Sequence, residues 1–196
     1  MKGILTRKLG MSQFISPENG EISPVTVLEA PANTVLQVKN SDKDGYKAVV
    51  LGAFERKNFG KNDNKKYKFI QELFLDDEDA LKKGDLITLE SLKETKTVKV
   101  TGTSKGRGFT GVIKRYNFGR GKETHGSHHH REPGSVGTCA KPGRILRGKK
   151  MPGHHGSSQV TIRSTEIVDI DLEKNLIAIK GAVPGAINGF IFLQGN

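Results

Sequence analysis

Short runs of alternating apolar and polar residues occupy both ends of the chain and predict a mainly β protein. Alternation over residues 2–16 is followed by a turn segment rich in proline, asparagine and glycine, so a strand pair is predicted here. The next run, 25–40, is rich in β-branched residues, and Pro31 predicts a bulge or strand end within it because proline removes a ladder donor. A compact apolar run over 46–54 predicts a buried strand.

The middle of the chain predicts one short helix, over residues 76–84. Acidic residues begin this segment and lysines followed by Gly84 end it, which matches the helix dipole and a C-terminal cap. Residues 55–68 are charged and predict a surface loop. Further strands are predicted over 85–92 and 97–102, twice between 159 and 172, after a hairpin at 173–175, and over 186–196. Many short strands with turns between them and almost no helix predict a β-barrel or sandwich.

The charge of the chain is concentrated in one internal segment, residues 102–158. This segment carries 12 of the 32 Lys and Arg residues and 2 of the 21 Asp and Glu residues, so it holds +10 of the net charge of +11. All six histidines and 13 of the 24 glycines also lie in it. Only 11 of its 57 residues are apolar, too few to enclose a core. Such a segment needs a partner to order it, and its charge indicates a polyanion.

Polar, glycine-rich segments are also common as disordered linkers. This one is internal, is flanked by predicted strands, and interleaves basic residues with single large side chains such as Phe109, Tyr116 and Met151. Glycine permits close backbone approach, Lys and Arg neutralise phosphates, and aromatic rings stack on unpaired bases. The segment therefore predicts nucleic-acid binding.

Several other classes of protein fit the sequence poorly. No apolar run is long enough to span a bilayer, Arg7 and Lys8 interrupt any signal-like stretch, and the single Cys139 excludes an internal disulfide, so we expect a soluble intracellular protein. The motif GRGFTG at 106–111 matches a phosphate loop but is not followed by a long helix. The histidines with one thiol lack the paired spacing of zinc ligands, and no catalytic set is visible. We expect no metal, no cofactor, no small-molecule substrate and no enzymatic activity.

Five blocks of sequence nevertheless point to one family. In chain order they are KGILTRKLGMSQF, GTSKGRGFTGVIKRYNFGRG, THGSHHHREPGSVG, PGRILRGKKMPGHHG and IKGAVPGAING. In order and spacing they resemble the bacterial form of the universal large-subunit ribosomal protein L-three family. The resemblance covers essentially the whole chain.

The resemblance implies an architecture and a function. It implies a single Greek-key β-barrel of the translation-protein type, formed by residues 1–102 and 158–196 together, with residues 103–157 as a long loop that penetrates large-subunit rRNA. Members bind near the 3′ end of that rRNA, help to nucleate subunit assembly, and cluster with ribosomal proteins L-fourteen and L-nineteen. The protein is then expected in the cytoplasm, within the ribosome.

The resemblance also implies which residues contact rRNA. The expected contacts are Lys105, Arg107, Phe109, Lys114, Arg115, Arg120, Lys122, His125, His130, Arg131, Lys141, Arg144, Arg147, Lys149, Lys150 and His154. The loop tip, expected to approach the peptidyl-transferase centre, is Gly137, Thr138, Cys139, Ala140, Lys141 and Pro142.

Two departures from the family pattern are visible. Ala140 stands where many bacterial members carry a glutamine that is methylated in some of them, and a short segment over 55–75 replaces a helical insertion. Two alternatives stay open at this point. One is an RNA-binding barrel that acts outside the ribosome, and the other is an enzyme built on the histidine-rich loop.

Overall fold

The fold is described by a computed structural model over residues 3–17, 20–56, 66–74 and 81–195. Within these ranges the protein is mainly β with very little helix, as predicted. The strands are β1 (Gly3–Ile15), β2 (Ile22–Glu29), β3 (Asn33–Lys39), β4 (Ala48–Glu55), β5 (Tyr67–Phe74), β6 (Leu86–Ile87), β7 (Thr97–Thr103), β8 (Phe109–Thr110), β9 (Gly153–His154), β10 (Gln159–Asp171), β11 (Leu176–Lys180) and β12 (Phe190–Gly195). The helices are α1 (Ser41–Asp44) and α2 (Val112–Tyr116), with a 3₁₀ turn at Leu89–Leu92.

The chain divides into two compact units. Unit 1 comprises Met1–Ser104 with Gln159–Asn196, and unit 2 comprises Lys105–Ser158. The predicted division set residues 103–157 apart from the rest of the chain. The role predicted for that segment, penetration of rRNA, stays a prediction.

Six strands of unit 1 close into an antiparallel barrel in the order β1-β12-β7-β10-β11-β2. The predicted pairing of the first two strands is confirmed, from Arg7 opposite Glu29 to Ile15 opposite Ile22. Aliphatic side chains from strands all around the barrel fill its interior. Its fully buried members include Ile4, Leu28, Val98, Val100, Leu89, Leu92, Ile177, Ile179, Ile191 and Leu193.

Four strands form a second sheet of unit 1, in the order β5-β4-β3-β6. Ile4 and Leu5 show how one strand serves two cores, since successive side chains point to opposite faces of a strand. Ile4 lies in the barrel interior, whereas Leu5 packs with Leu51 and Leu73 in a second cluster. The prediction of a single barrel did not include this second sheet.

Two strand predictions were wrong in detail. The alternating segment 85–92 contains only the two-residue β6, followed by the 3₁₀ turn. Leu89 and Leu92 are three residues apart, and a 3₁₀ turn places both side chains on one face, where both are buried in the barrel core. The two strands predicted between 159 and 172 are one long strand, β10, whose register with β7 shifts between Ile162 and Thr165.

The segment that follows the predicted surface loop also differs from expectation. Residues 67–74 form β5, which pairs with β4 from Glu55 opposite Tyr67 to Ala48 opposite Phe74. The burial of β5 does not alternate regularly along the strand, so strand periodicity does not mark it. Of the helix predicted over 76–84, residues 76–80 lie outside the described residues, and the rest is loop and turn. No helix in the described ranges is long and apolar enough to cross a membrane.

Candidate nucleic-acid interface

Unit 2 has an outgoing limb, from residue 105 to the predicted tip at 137–142, and a returning limb, from the tip to residue 158. A short antiparallel ribbon joins the two limbs. Phe109 of β8 lies opposite His154 of β9. The backbone N–H of Arg107 donates to the carbonyl of His155 at 2.8 Å, and the N–H of His155 donates to that of Gly108 at 3.0 Å. The ring of Phe109 is 71% exposed and meets the His154 ring edge-on. The ribbon therefore fixes the two limbs while it leaves an aromatic face open for stacking.

The arginine of α2 holds the two limbs together a few residues further along. Nη1 of Arg115 donates to the carbonyl of Met151 at 2.7 Å. A Cβ on Gly153 would lie 2.6 Å from the same nitrogen, so any larger residue here would displace the guanidinium from this position. The guanidinium of Arg115 also lies 5.0 Å from the centre of the Tyr116 ring, and the ammonium of Lys150 lies 5.8 Å from that centre. Part of the binding capacity of Arg115 is thus used inside unit 2.

A third contact closes the loop between Gly121 and His130. The N–H of Gly121 donates to the carbonyl of His130 at 3.1 Å, and Nδ1 of His130 lies 3.0 Å from the carbonyl of Lys122. A carbonyl only accepts, so Nδ1 carries the hydrogen in this contact. A Cβ on Gly121 would stand 1.6 Å from the carbonyl oxygen of His129. Only glycine fits this position.

Both acidic residues of unit 2 contact a nearby basic side chain. Glu123 forms an ion pair with Arg120, and Glu132 lies 3.4 Å from Nδ1 of His129. Of the 12 Lys and Arg residues of this fully described unit, only Arg120 pairs with an acid, which leaves 11 cations without a carboxylate partner. This arrangement produces a strongly positive surface that only an external anion can neutralise.

Residues 128–150 of unit 2 enclose no interior. Every residue from 128 to 150 is exposed, including the apolar Val136, Ile145 and Leu146. Around the predicted tip, Oγ1 of Thr138 donates to the carbonyl of Lys141 at 3.0 Å. Gly137, Thr138 and Cys139 of the tip border a shallow cavity of about 260 Å³. An exposed and positive segment that includes apolar side chains has the surface expected of a segment that binds a large partner.

The structure places every predicted contact residue in unit 2. Fifteen of the sixteen are exposed, and Arg115 is half-buried in its contact with Met151. Sequence reasoning missed the contacts that join the limbs, because no local pattern marks which glycine faces which carbonyl. In the described part of the chain, no three His, Cys, Asp or Glu side chains are grouped as a metal site would require.

A β unit that carries an exposed, basic, glycine-rich loop is the arrangement of a nucleic-acid-binding protein. The family model for Ribosomal protein L3 matches residues 77–180 of this chain. The large ribosomal subunit protein uL3 of Bacillus cytotoxicus is 45% identical over 204 residues, covering 99% of this chain and 96% of the relative. That of Alkaliphilus metalliredigens is 43% identical, covering 99% and 97%, and that of Syntrophotalea carbinolica is 44% identical, covering 98% and 97%.

The chain therefore belongs to the ribosomal protein L3 family. The resemblance predicted from five sequence blocks is confirmed. The family consists of structural ribosomal proteins and not of enzymes, so the prediction of a non-catalytic protein is also confirmed.

Proposed function

We propose that this chain is a structural constituent of the large ribosomal subunit and that unit 2 binds large-subunit rRNA there. The relatives that match it over nearly their whole length are named as large ribosomal subunit proteins. The observation that carries the proposal is the exposed run 128–150 within a unit that holds 11 cations without a carboxylate partner. As a ribosomal protein, the chain works in the cytoplasm.

The physical demands of an rRNA interior support this role for unit 2. Closely spaced phosphates surround any segment that enters folded RNA, so the segment must be narrow and positive. Unit 2 meets both demands, since its cations are spread along both limbs and its glycines let the limbs lie close together. We propose that the sixteen residues predicted as rRNA contacts bind rRNA. Arg115 also holds the returning limb through its hydrogen bond to Met151.

Finer features of the proposal rest on family membership. They are binding near the 3′ end of the rRNA, a role in nucleating assembly, approach of the tip 137–142 to the peptidyl-transferase centre, and contact with ribosomal proteins L-fourteen and L-nineteen. The barrel is proposed to be of the Greek-key, translation-protein type. The spatial order β12-β7-β10-β11 supports this class, because the last of these four strands in the chain returns beside the first.

Sedimentation of ribosomes tests the proposal with a charge-matched pair of variants. The loop variant carries Arg144→Ala, Arg147→Ala, Lys149→Ala and Lys150→Ala. The control variant carries Lys82→Ala, Lys83→Ala, Lys93→Ala and Lys96→Ala, at exposed positions of unit 1. Both lose four positive charges, so a difference between them reports position rather than net charge.

Each tagged chain is expressed in bacterial cells, and the lysate is washed with high salt and separated on a sucrose gradient. We expect the wild type and the control variant to travel with the large subunit and the loop variant to be depleted from it. If the wild type itself washed to the top of the gradient, the basic loop would make only a surface contact. The RNA-binding role outside the ribosome would then be favoured.

A further inference from the structure

A cavity of about 400 Å³ opens within unit 1, on the outer face of the barrel. Phe190 and Phe192 of β12 line it, whereas Ile191 between them is buried in the barrel interior, as strand alternation requires. Phe69 of β5 also lines the cavity, and its ring stacks on that of Phe190 with centroids 4.9 Å apart and planes at 21°. Both of these rings are only partly buried. One wall of the cavity is therefore aromatic and within reach of solvent.

The other walls of the cavity are polar and uncharged. Thr101 and Thr103 of β7 contribute hydroxyl groups, and Gln71 and Gln159 contribute carboxamides. Among the described residues, the Gln159 side chain has no hydrogen-bond partner, and Nε2 of Gln71 makes only a long contact of 3.5 Å. A carboxamide presents a donor and an acceptor side by side, which is the pattern on the edge of a nucleobase.

We infer that this cavity binds one unpaired base of the large-subunit rRNA, stacked on the Phe69 and Phe190 wall and hydrogen-bonded along its edge to Gln71 and Gln159. The inference rests on the proposed function for its RNA partner. Stacking on aromatic side chains and hydrogen bonding of exposed base edges are the means by which proteins recognise single-stranded RNA. The cavity volume lies in the range of pockets that enclose small planar ligands.

Two features favour a base over an apolar side chain of a protein partner. An apolar guest would desolvate the part-buried carboxamide of Gln71 without giving it a partner, which is unfavourable. The chain also leaves unit 1 just after Thr103 and re-enters it at Gln159. Connectivity alone thus keeps the ends of the RNA-binding loop next to residues of the cavity. The occupant is therefore assigned to the same RNA.

Filter binding of the purified full chain to transcribed large-subunit rRNA tests the inference. The cavity variants are Phe69→Leu, which keeps apolar packing but removes one of the two rings of the aromatic wall, and Gln159→Ala, at an exposed position. The controls are Phe74→Leu, on the same strand but 63% exposed and outside the cavity, and Gln13→Ala, also exposed. Thermal unfolding of every variant checks that the fold is retained.

Removing a stacked aromatic ring is expected to weaken binding by a factor of about 5 to 100. Neither cavity variant removes a charge, so the slope of log K against log salt should equal that of the wild type. The controls should bind as the wild type does. Gln159→Ala keeps the test decisive if Phe69→Leu does not fold.

The possible failures are distinguishable. If the wild type binds rRNA with a salt dependence but both cavity variants bind equally well, the cavity holds no base and only this inference is overturned. If the wild type shows no salt-dependent binding, the proposed function fails and the inference fails with it. If Phe74→Leu weakens binding as much as Phe69→Leu, the effect belongs to the strand and the cavity is again excluded.

Discussion

Alanine substitution of four basic residues on the returning limb of the loop should lower the salt dependence of rRNA binding by an amount that can be calculated. The substitutions are Arg144→Ala, Arg147→Ala, Lys149→Ala and Lys150→Ala. All four side chains are exposed and none pairs with Glu123 or Glu132, the two acids of unit 2. Each is therefore available to displace a counterion from a phosphate.

The magnitude follows from the number of free cations. Unit 2 has 12 Lys and Arg residues and one of them pairs with an acid, which leaves 11. Each neutralised phosphate contributes about −0.7 to −0.9 to the slope of log K against log salt, so the wild-type slope has an upper bound of about −8 to −10. Removal of four cations should reduce its magnitude by about 3 to 4. Between about 50 and 200 mM salt, the loop variant should lose about two decades less affinity than the wild type loses.

Filter binding to rRNA across that salt range measures the two slopes. The control variant at Lys82, Lys83, Lys93 and Lys96 loses the same charge from unit 1 and should change the slope by less than about 1. Equal slopes for the loop variant and the wild type would show that the returning limb does not touch phosphates. Equal reductions in the loop and control variants would show that net charge alone determines binding, and would refute the reasoning from position.

Two further predictions concern the internal contacts of each unit. Gly121→Ala should disrupt the turn at the carbonyl of His129, seen as loss of amide protection at residue 121 in hydrogen exchange, whereas Gly119→Ala, with open space around its Cβ, should leave that protection unchanged. In unit 1, the hydrogen bond from Lys39 lowers the pKa of Glu72 below its usual 4.5, so the pair stabilises the fold above that pH and its contribution is lost as the pH falls through the lowered pKa. Urea unfolding of Glu72→Gln should therefore show a shallower loss of stability on acidification than the wild type, and identical pH profiles would contradict the assignment.

Strand alternation predicted barrel strands such as β7 and β11, because each of these has one face in the core and one face that is more exposed. It failed where two cores compete for the same segment. Leu89 and Leu92 reach the barrel core from a 3₁₀ turn. In the sequence, the apolar residues of segment 85–92 have the same spacing as in a strand, so a strand was predicted there. It also did not reveal the second sheet, because Leu5 and Ile4 are both fully buried, and a strand buried on both faces loses its polar alternation.

The loop was visible in the sequence for a different reason. Charge and glycine content are properties of composition, and they mark a nucleic-acid-binding segment without knowledge of its conformation. The contacts that shape the loop are not local. Arg115 and Met151, or Gly121 and His130, are brought together only when the chain turns back, and no residue pattern encodes that pairing. Sequence thus indicated which residues are exposed on the basic loop better than which residues hold the loop together.

The loop and the cavity are proposed to bind RNA through different physical effects, and the salt dependence of binding distinguishes the two. Counterion release by the loop weakens as salt rises, whereas base stacking in the cavity depends on salt much less. The factor by which Phe69→Leu weakens rRNA binding should therefore stay constant from low to high salt. The factor by which the loop variant with four alanine substitutions weakens binding should shrink toward one. A double variant should show the product of the two factors if the sites act independently. A stacking effect that faded with salt in parallel with the loop effect would mean that Phe69 acts through the conformation of the charged loop and not through a base.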